Sequence, residues 1–290
     1  MTTRPHTPTT APTTARENGP AYETVRPVTP CASVLLARNP SPMTLEGTNT
    51  WLLADPDRSG QSDRSDLVVV DPGPDQESHL RAVAAAGRVA VVLLTHGHAD
   101  HSAGARRLHE LTGAPVLALD PAHRYGSEGL AEGDVVAQAG VEVRVLATPG
   151  HTGDSLCFTV TDASAVGPAV LTGDTILGRG STVVAHPDGR LGDYLASLRR
   201  LRELGPATVL PGHGPELPDA GLAAEAYLRH RAERLDQVRA ALAELKDMAG
   251  PARPVSPADV VRRVYADVDP ALWPAAELSV RAQLDYLQEN

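Results

Sequence analysis

A chain of 290 residues with 42% hydrophobic side chains can bury one large core, or one core and a small appended domain. Its longest apolar run, Val89 to Leu94, is far short of the roughly 20 residues a membrane-spanning helix needs, so no membrane role is expected. The formal net charge of −10 favours solubility and opposes non-specific binding of nucleic acid.

Residues 1–20 read as a disordered tail, because Met1 to Arg16 is rich in Thr and Pro and holds no apolar stretch of a secretory signal. Short β-branched or apolar runs follow at Ser33–Ala37, Thr50–Ala54, Leu67–Val70, Val89–Leu94, Pro115–Leu119, Val141–Ala147, Ser155–Thr161, Ala169–Leu171 and Ala207–Leu210, and predict strands. Helical patterns lie between them at Gln76–Ala86, Ala103–Thr112 and Asp193–Leu204. The interleaving makes residues 21–218 an α/β or α+β domain.

The β pattern stops after Pro218. Leu228, Leu235, Val238, Leu242 and Leu245 then predict a long helix, Met248 to Pro257 a linker, and Ser256 the cap of a helix opened by Pro257 with Val260, Val261, Val264 and Val268 on its apolar face. A last helix is expected from about Pro274, so 219–290 reads as a small all-helical domain. The two cysteines, Cys31 and Cys157, fit a reducing cytoplasm, the expected location.

The chemistry concentrates in Thr95-His96-Gly97-His98-Ala99-Asp100-His101, where three imidazoles and a carboxylate leave the end of one apolar run. Neutral imidazole and carboxylate are the ligands zinc accepts. Three further candidates, His151, Asp174 and His213, also follow apolar runs, each beside a glycine. Asp174 alone would read equally as a turn residue; with the others it completes a set of five histidines and two aspartates.

These motifs resemble the metallo-β-lactamase-fold hydrolases across about residues 30–218. The resemblance implies a four-layer αβ/βα sandwich holding two zinc ions, with iron or manganese as alternatives. His96, His98 and His151 would hold one metal, Asp100, His101 and His213 the other, and Asp174 would bridge them. A metal-bridging hydroxide would be the nucleophile, and Asp71 would orient a ligand histidine.

The segments 39–50, 173–180 and 211–215 further resemble the β-lactamase-like protein 2 branch, close to glyoxalase II, whose members carry a C-terminal winged-helix-like domain that Arg229 to Leu287 also resembles. The animal member implies endoribonuclease activity on single-stranded RNA. The chain stops at Asn290 just after its last helix, so no β wing is expected.

Arg179, Ser181 and Thr182 follow the bridging-aspartate strand and offer contacts to an anionic substrate group, or a polar loop. His186, before a Pro-Asp-Gly turn, is a further candidate contact; His79, His109, His123 and His230 read as packing or surface histidines. Arg229, Arg231, Arg234 and Arg239 alternate with Glu233 and Asp236 as on a solvated helix face. The leading expectation is a dinuclear zinc hydrolase of a small-molecule acyl substrate such as a thioester, with single-stranded RNA as the alternative. A drug-hydrolysing β-lactamase and a non-enzymatic binding module rank below both: no secretory signal is expected, and all seven ligand types are present.

Overall fold

The computed structural model describes residues 20–55, 66–161, 168–249 and 254–289. The expected disordered tail therefore lies outside the described residues up to position 19. Two sheets form. The first has the order β1 (Arg26–Pro27), β2 (Ala32–Leu36), β3 (Asn49–Leu53), β4 (Asp66–Val70), β5 (Arg88–Leu93) and β6 (Val116–Leu117), antiparallel up to β4 and parallel from β4 to β6. The second contains β7 (Val135–Gln138), β8 (Val141–Ala147), β9 (Leu156–Thr161), β10 (Ala169–Gly173) and β11 (Thr208–Pro211), in the order β11-β10-β9-β8-β7.

Successive side chains of a strand point to opposite faces, and here both faces are covered. Trp51, Leu53, Val68, Val70, Val91 and Leu93 meet Val143, Leu156, Phe158 and Leu171 between the sheets. The intervening Leu52, Val69 and Val92 face α1 (Glu77–Ala86) and, beyond the four-residue α2 (Ala99–Ser102), α3 (Ala105–Thr112). Cys157, Val170 and Val209 face α4 (Leu191–Glu203) and α5 (Ala220–Ala249) on the other side. The result is the expected four-layer sandwich. It explains why its strands read as unbroken apolar runs.

Two strands carried no such signal. β1 is a two-residue edge strand ending in proline, and β7 is a mostly exposed edge strand paired with β8 through Ala139 and Gly140, both at positive φ. The long helix after Pro218 forms as α5 and continues through Ala249, into the stretch read as linker. Ser256 caps α6 (Pro257–Val264) through a reciprocal pair with Asp259, and α7 spans Trp273–Glu289. Val268 is not on α6: the helix ends at Val264 because Tyr265 leaves the helical backbone and Val268 N–H turns back to Tyr265 O at 3.0 Å, while Asp269 caps the separate turn over Pro270–Leu272. Val238, Val260, Val261, Ala276 and Val280 form a separate small core of α5, α6 and α7. Among the described residues no strand follows β11, and no helix is long and apolar enough to cross a membrane.

Strand direction locates the site. β4 and β5 run parallel, and β8 and β10 are both antiparallel to β9 while β11 is parallel to β10. Within each sheet these strands therefore deliver their C-terminal ends to one edge.

Candidate metal centre

From those ends come Asp71 after β4, His96 to His101 after β5, His151 after β8, Asp174 after β10 and His213 after β11. Three groups of donor atoms gather within 4.8 Å of one another and could hold a metal ion: His96, His98 and His151; His96, His101 and Asp174; Asp100, His101 and His213. Asp174 touches members of the first and third groups, lying 3.8 Å from His151, 3.4 Å from His101 and 3.5 Å from His213. Every ligand-type residue identified in the sequence is thus brought together.

The glycines beside these residues have a steric reason. A Cβ at Gly212 would sit 2.6 Å from His101 Cε1 and 2.7 Å from Asp174 Oδ1. At Gly173 the backbone is left-handed, φ +47°, and a Cβ would press on Thr95. The turn carrying His213 is fastened across the sandwich by β3: Asn49 Nδ2 donates to Pro211 O and Gly214 O, both at 2.9 Å, and Trp51 Nε1 to Pro211 O at 3.0 Å.

Outer hydrogen bonds fix which ring nitrogens point inward. Thr95 Oγ1 gives its one proton to Asp71 at 2.7 Å, so His96 Nδ1–H must donate to Thr95 Oγ1, 3.0 Å away, leaving Nε2 bare. His101 Nδ1–H donates to Asp71 at 2.8 Å, His151 Nδ1–H to Val183 O at 2.6 Å and His213 Nδ1–H to Gly47 O at 3.1 Å. The inward nitrogens crowd together: His98 Nδ1 lies 3.1 Å from His96 Nε2 and 3.0 Å from His151 Nε2, and His101 Nε2 lies 3.1 Å from His213 Nε2. Nitrogens this close must share a proton or a metal ion, and buried Asp174 Oδ1 has no hydrogen-bond partner. The donor set fits divalent metal ions.

The proton equilibria say the same. Burial opposes charge on Asp174, but His213 and His101 outweigh it and hold its carboxyl well below the usual carboxylate range. Burial likewise disfavours His213⁺, yet Asp174 and Asp100 push it up to about 9. His96 is driven well below its ordinary value, first by burial and then by His101 and His151. The cluster's carboxylates thus retain protons on His101 and His213 that a metal ion would displace.

Beside His151 and Asp174 opens a cavity of about 330 Å³. Met43, Leu45 and Leu177 wall it on the sandwich side, Tyr265, Val268 and Leu272 on the side of the C-terminal helices. Arg179, Ser181 and Thr182 line it, Arg179 paired with Glu46. His186 does not: it pairs with Asp285 at 3.0 Å in a separate depression.

The C-terminal helices also supply His230, expected as a packing or surface histidine, and Arg231 and Arg234, expected on a solvated helix face, to the cavity. Arg231 corrects that reading, being only 2% exposed. It lies in the stripe Tyr227, Arg231, Leu235, Val238, whose spacing of four, four and three is that of a buried helix face. Placed in that stripe, an arginine was recognisable as a buried cation.

His79 is a packing histidine, as expected: fully buried, with Nε2 2.9 Å from Thr50 Oγ1. Burial holds it down to about 4 from its ordinary 6.5. As pH falls from 6.5 toward 4, the unfolded chain takes up a proton the folded protein refuses, which should cost about 3 kcal/mol of stability. Urea unfolding of wild type and His79→Gln between these pH values should show the wild type losing more; equal losses would refute the assignment.

The sequence profile described as the Metallo-beta-lactamase superfamily matches residues 43–213, and that of the Beta-lactamase associated winged helix domain matches 256–290. A protein named Beta-lactamase-like protein 2 homolog from Drosophila melanogaster is 30% identical over 272 residues, covering 88% of this chain and 87% of its own length. The Atrochrysone carboxyl ACP thioesterase of Aspergillus fumigatus is 31% identical over 225 residues, 73% of this chain and 65% of that protein. In fold, a β-lactamase domain protein from Burkholderia ambifaria superposes with a TM-score of 0.72 at 24% identity, over 94% of this chain and 90% of that one. With the profile spanning more than half of the sequence and the strand-end ligands assembled on the expected sandwich, the chain belongs to the metallo-β-lactamase superfamily of hydrolases and carries the winged-helix region associated with it.

Proposed function

We propose that this chain is a dinuclear zinc hydrolase of thioesters or related acyl compounds, acting on an acidic small molecule in a reducing cytoplasm. The observation that carries the reading is the cavity. It opens directly on His151 and Asp174, its walls are largely apolar, and its arginines are Arg179, Arg231 and Arg234 in a chain of net charge −10. An apolar acyl group with an anionic substituent suits such a lining. The thioesterase among the relatives supports the same bond type.

In this reading His96, His98 and His151 would hold one metal and Asp100, His101 and His213 the second, with Asp174 as a ligand available to both. Iron or manganese would suit the same ligands. Metal ions held there would supply a water acidic enough to ionise near neutral pH and a Lewis acid for the scissile carbonyl. The protein's own contribution is to hold four of the five imidazoles by outer hydrogen bonds and two carboxylates ionised, and to place the substrate's acid near Arg234.

Single-stranded RNA is the second reading, favoured by the same arginines. Against it, arginines elsewhere on the C-terminal helices are neutralised by their own carboxylates: Arg239 by Asp236, Arg262 by Asp259, Arg263 by Glu244. A cationic track for a polyphosphate backbone is not built there.

The test is zinc-loaded protein offered a carboxylated acyl thioester, followed by thiol release, in parallel with a labelled single-stranded RNA. We expect chelator-sensitive thiol release, weakened mainly in KM by Arg234→Gln, and intact RNA. Chelator-sensitive RNA cleavage without thiol release would reverse the order of the two readings.

A further inference from the structure

We propose that the C-terminal helices complete the metal-binding cradle: Arg231 of α5 and Ser279 of α7 hold the 182–184 backbone that orients His151. The inference rests on His151 being a metal ligand. His151 Nδ1–H donates to Val183 O at 2.6 Å, with Thr182 Oγ1 also 3.2 Å away, so that short segment decides where Nε2 points. No strand or helix contains it.

Besides the bond from the next residue, Ala185 N–H, to His151 O at 3.0 Å, its anchors come from the C-terminal region. Arg231 Nη2 donates to Thr182 O at 2.5 Å, and Val184 N–H donates to Ser279 Oγ at 3.2 Å. The two bonds flank Val183, one on each side. Arg231 also lies 5.0 Å from the ring centroid of Tyr194, whose hydroxyl donates at 2.7 Å to the carbonyl of Thr175, the residue after Asp174. The same guanidinium thereby contacts the segment to which His151 is bonded and, through Tyr194, the turn that follows Asp174.

Burying a guanidinium with an unpartnered Nε and, among the described residues, no carboxylate is costly. A merely structural contact at this point of α5 would be made more cheaply by an aliphatic residue like the flanking Leu235. The cation is explained if its task is to fix a carbonyl-lined loop, which needs donors. Arg231 and Ser279 are positioning residues, acting on the metal through His151.

The full-length chain loaded with zinc, and separately with cobalt for its visible spectrum, would be titrated with a competing chelator. Arg231→Met and Ser279→Ala should each release one of two metal equivalents about 10–100-fold more readily, and the cobalt bands of that equivalent should shift. Arg231→Lys, which keeps a donor, should recover part of the affinity. Val280→Ala, which thins the small C-terminal core without touching the loop, should leave affinity and spectrum unchanged. If Arg231→Met does not fold, Ser279→Ala decides. Unchanged affinity in the folded variants, or equal loss in Val280→Ala, would overturn the inference while leaving the metal reading intact. A wild-type protein that binds no metal would overturn both.

Discussion

Asp174→Asn is expected to lower turnover by about 10³-fold or more, the equivalent of several kcal/mol of lost metal assistance. The substitution keeps shape and volume, so its effect is electrical. Asp174 is the carboxylate within 3.8 Å of His151, His101 and His213 alike, and its buried Oδ1 has no hydrogen-bond partner. An amide in its place removes a full negative charge from the point where two cations would meet. It also risks turning N–H donors toward them. Metal content should fall below two equivalents with the far-UV spectrum unchanged, because the surrounding β10 and β11 are buried on apolar contacts that do not involve Asp174. Full metal content with wild-type turnover would sink the assignment of Asp174 as the shared ligand.

What the sequence disclosed, and what it withheld, follows from where each signal resides. The clustered donor residues at strand ends were legible because several imidazoles and carboxylates of metal-ligand type fall in loops bounded by apolar runs. The sandwich strands were legible for a related reason: strands covered on both faces, such as Val68 to Val70, lose the polar alternation of a half-exposed sheet and read as solid hydrophobic blocks. Ser256 and Pro257 announced α6 through local backbone chemistry alone.

The cavity was hidden, since it forms between segments more than two hundred residues apart, Met43 on one wall and Leu272 on the other. Composition hid Arg231, because charge suggests solvent and the neighbouring Glu233 and Asp236 strengthen that suggestion, whereas helix phase places it between Tyr227 and Leu235. Phase is the more physical signal. It reports which face a residue must occupy once the helix packs, while charge reports only what that burial costs.

The second large effect is expected at Asp71, a residue outside the donor groups. Its backbone is left-handed, φ +53°, an uncommon state that aspartate tolerates better than most side chains. It is 1% exposed, and its two oxygens accept three bonds: Thr95 N–H at 2.8 Å, Thr95 Oγ1–H at 2.7 Å and His101 Nδ1–H at 2.8 Å. Through Thr95 it sets the tautomer of His96, and directly that of His101, so one carboxylate orients a ligand in each metal group. Asp71→Ala would leave buried donors unpaired at roughly 1–3 kcal/mol each, for a total of about 3 kcal/mol or more of lost stability. Asp71→Asn keeps the volume and one acceptor, and should cost less stability while still weakening metal binding about 10–100-fold. Chelator competition and thermal melts measure the two effects separately. The decisive comparison is rescue: excess zinc should restore turnover to Asp71→Asn, whose direct ligands are all present, but not to Asp174→Asn, which lacks one. Unchanged zinc affinity in Asp71→Asn would show that the three buried hydrogen bonds serve the β4 turn alone, and that His101 finds its tautomer without them.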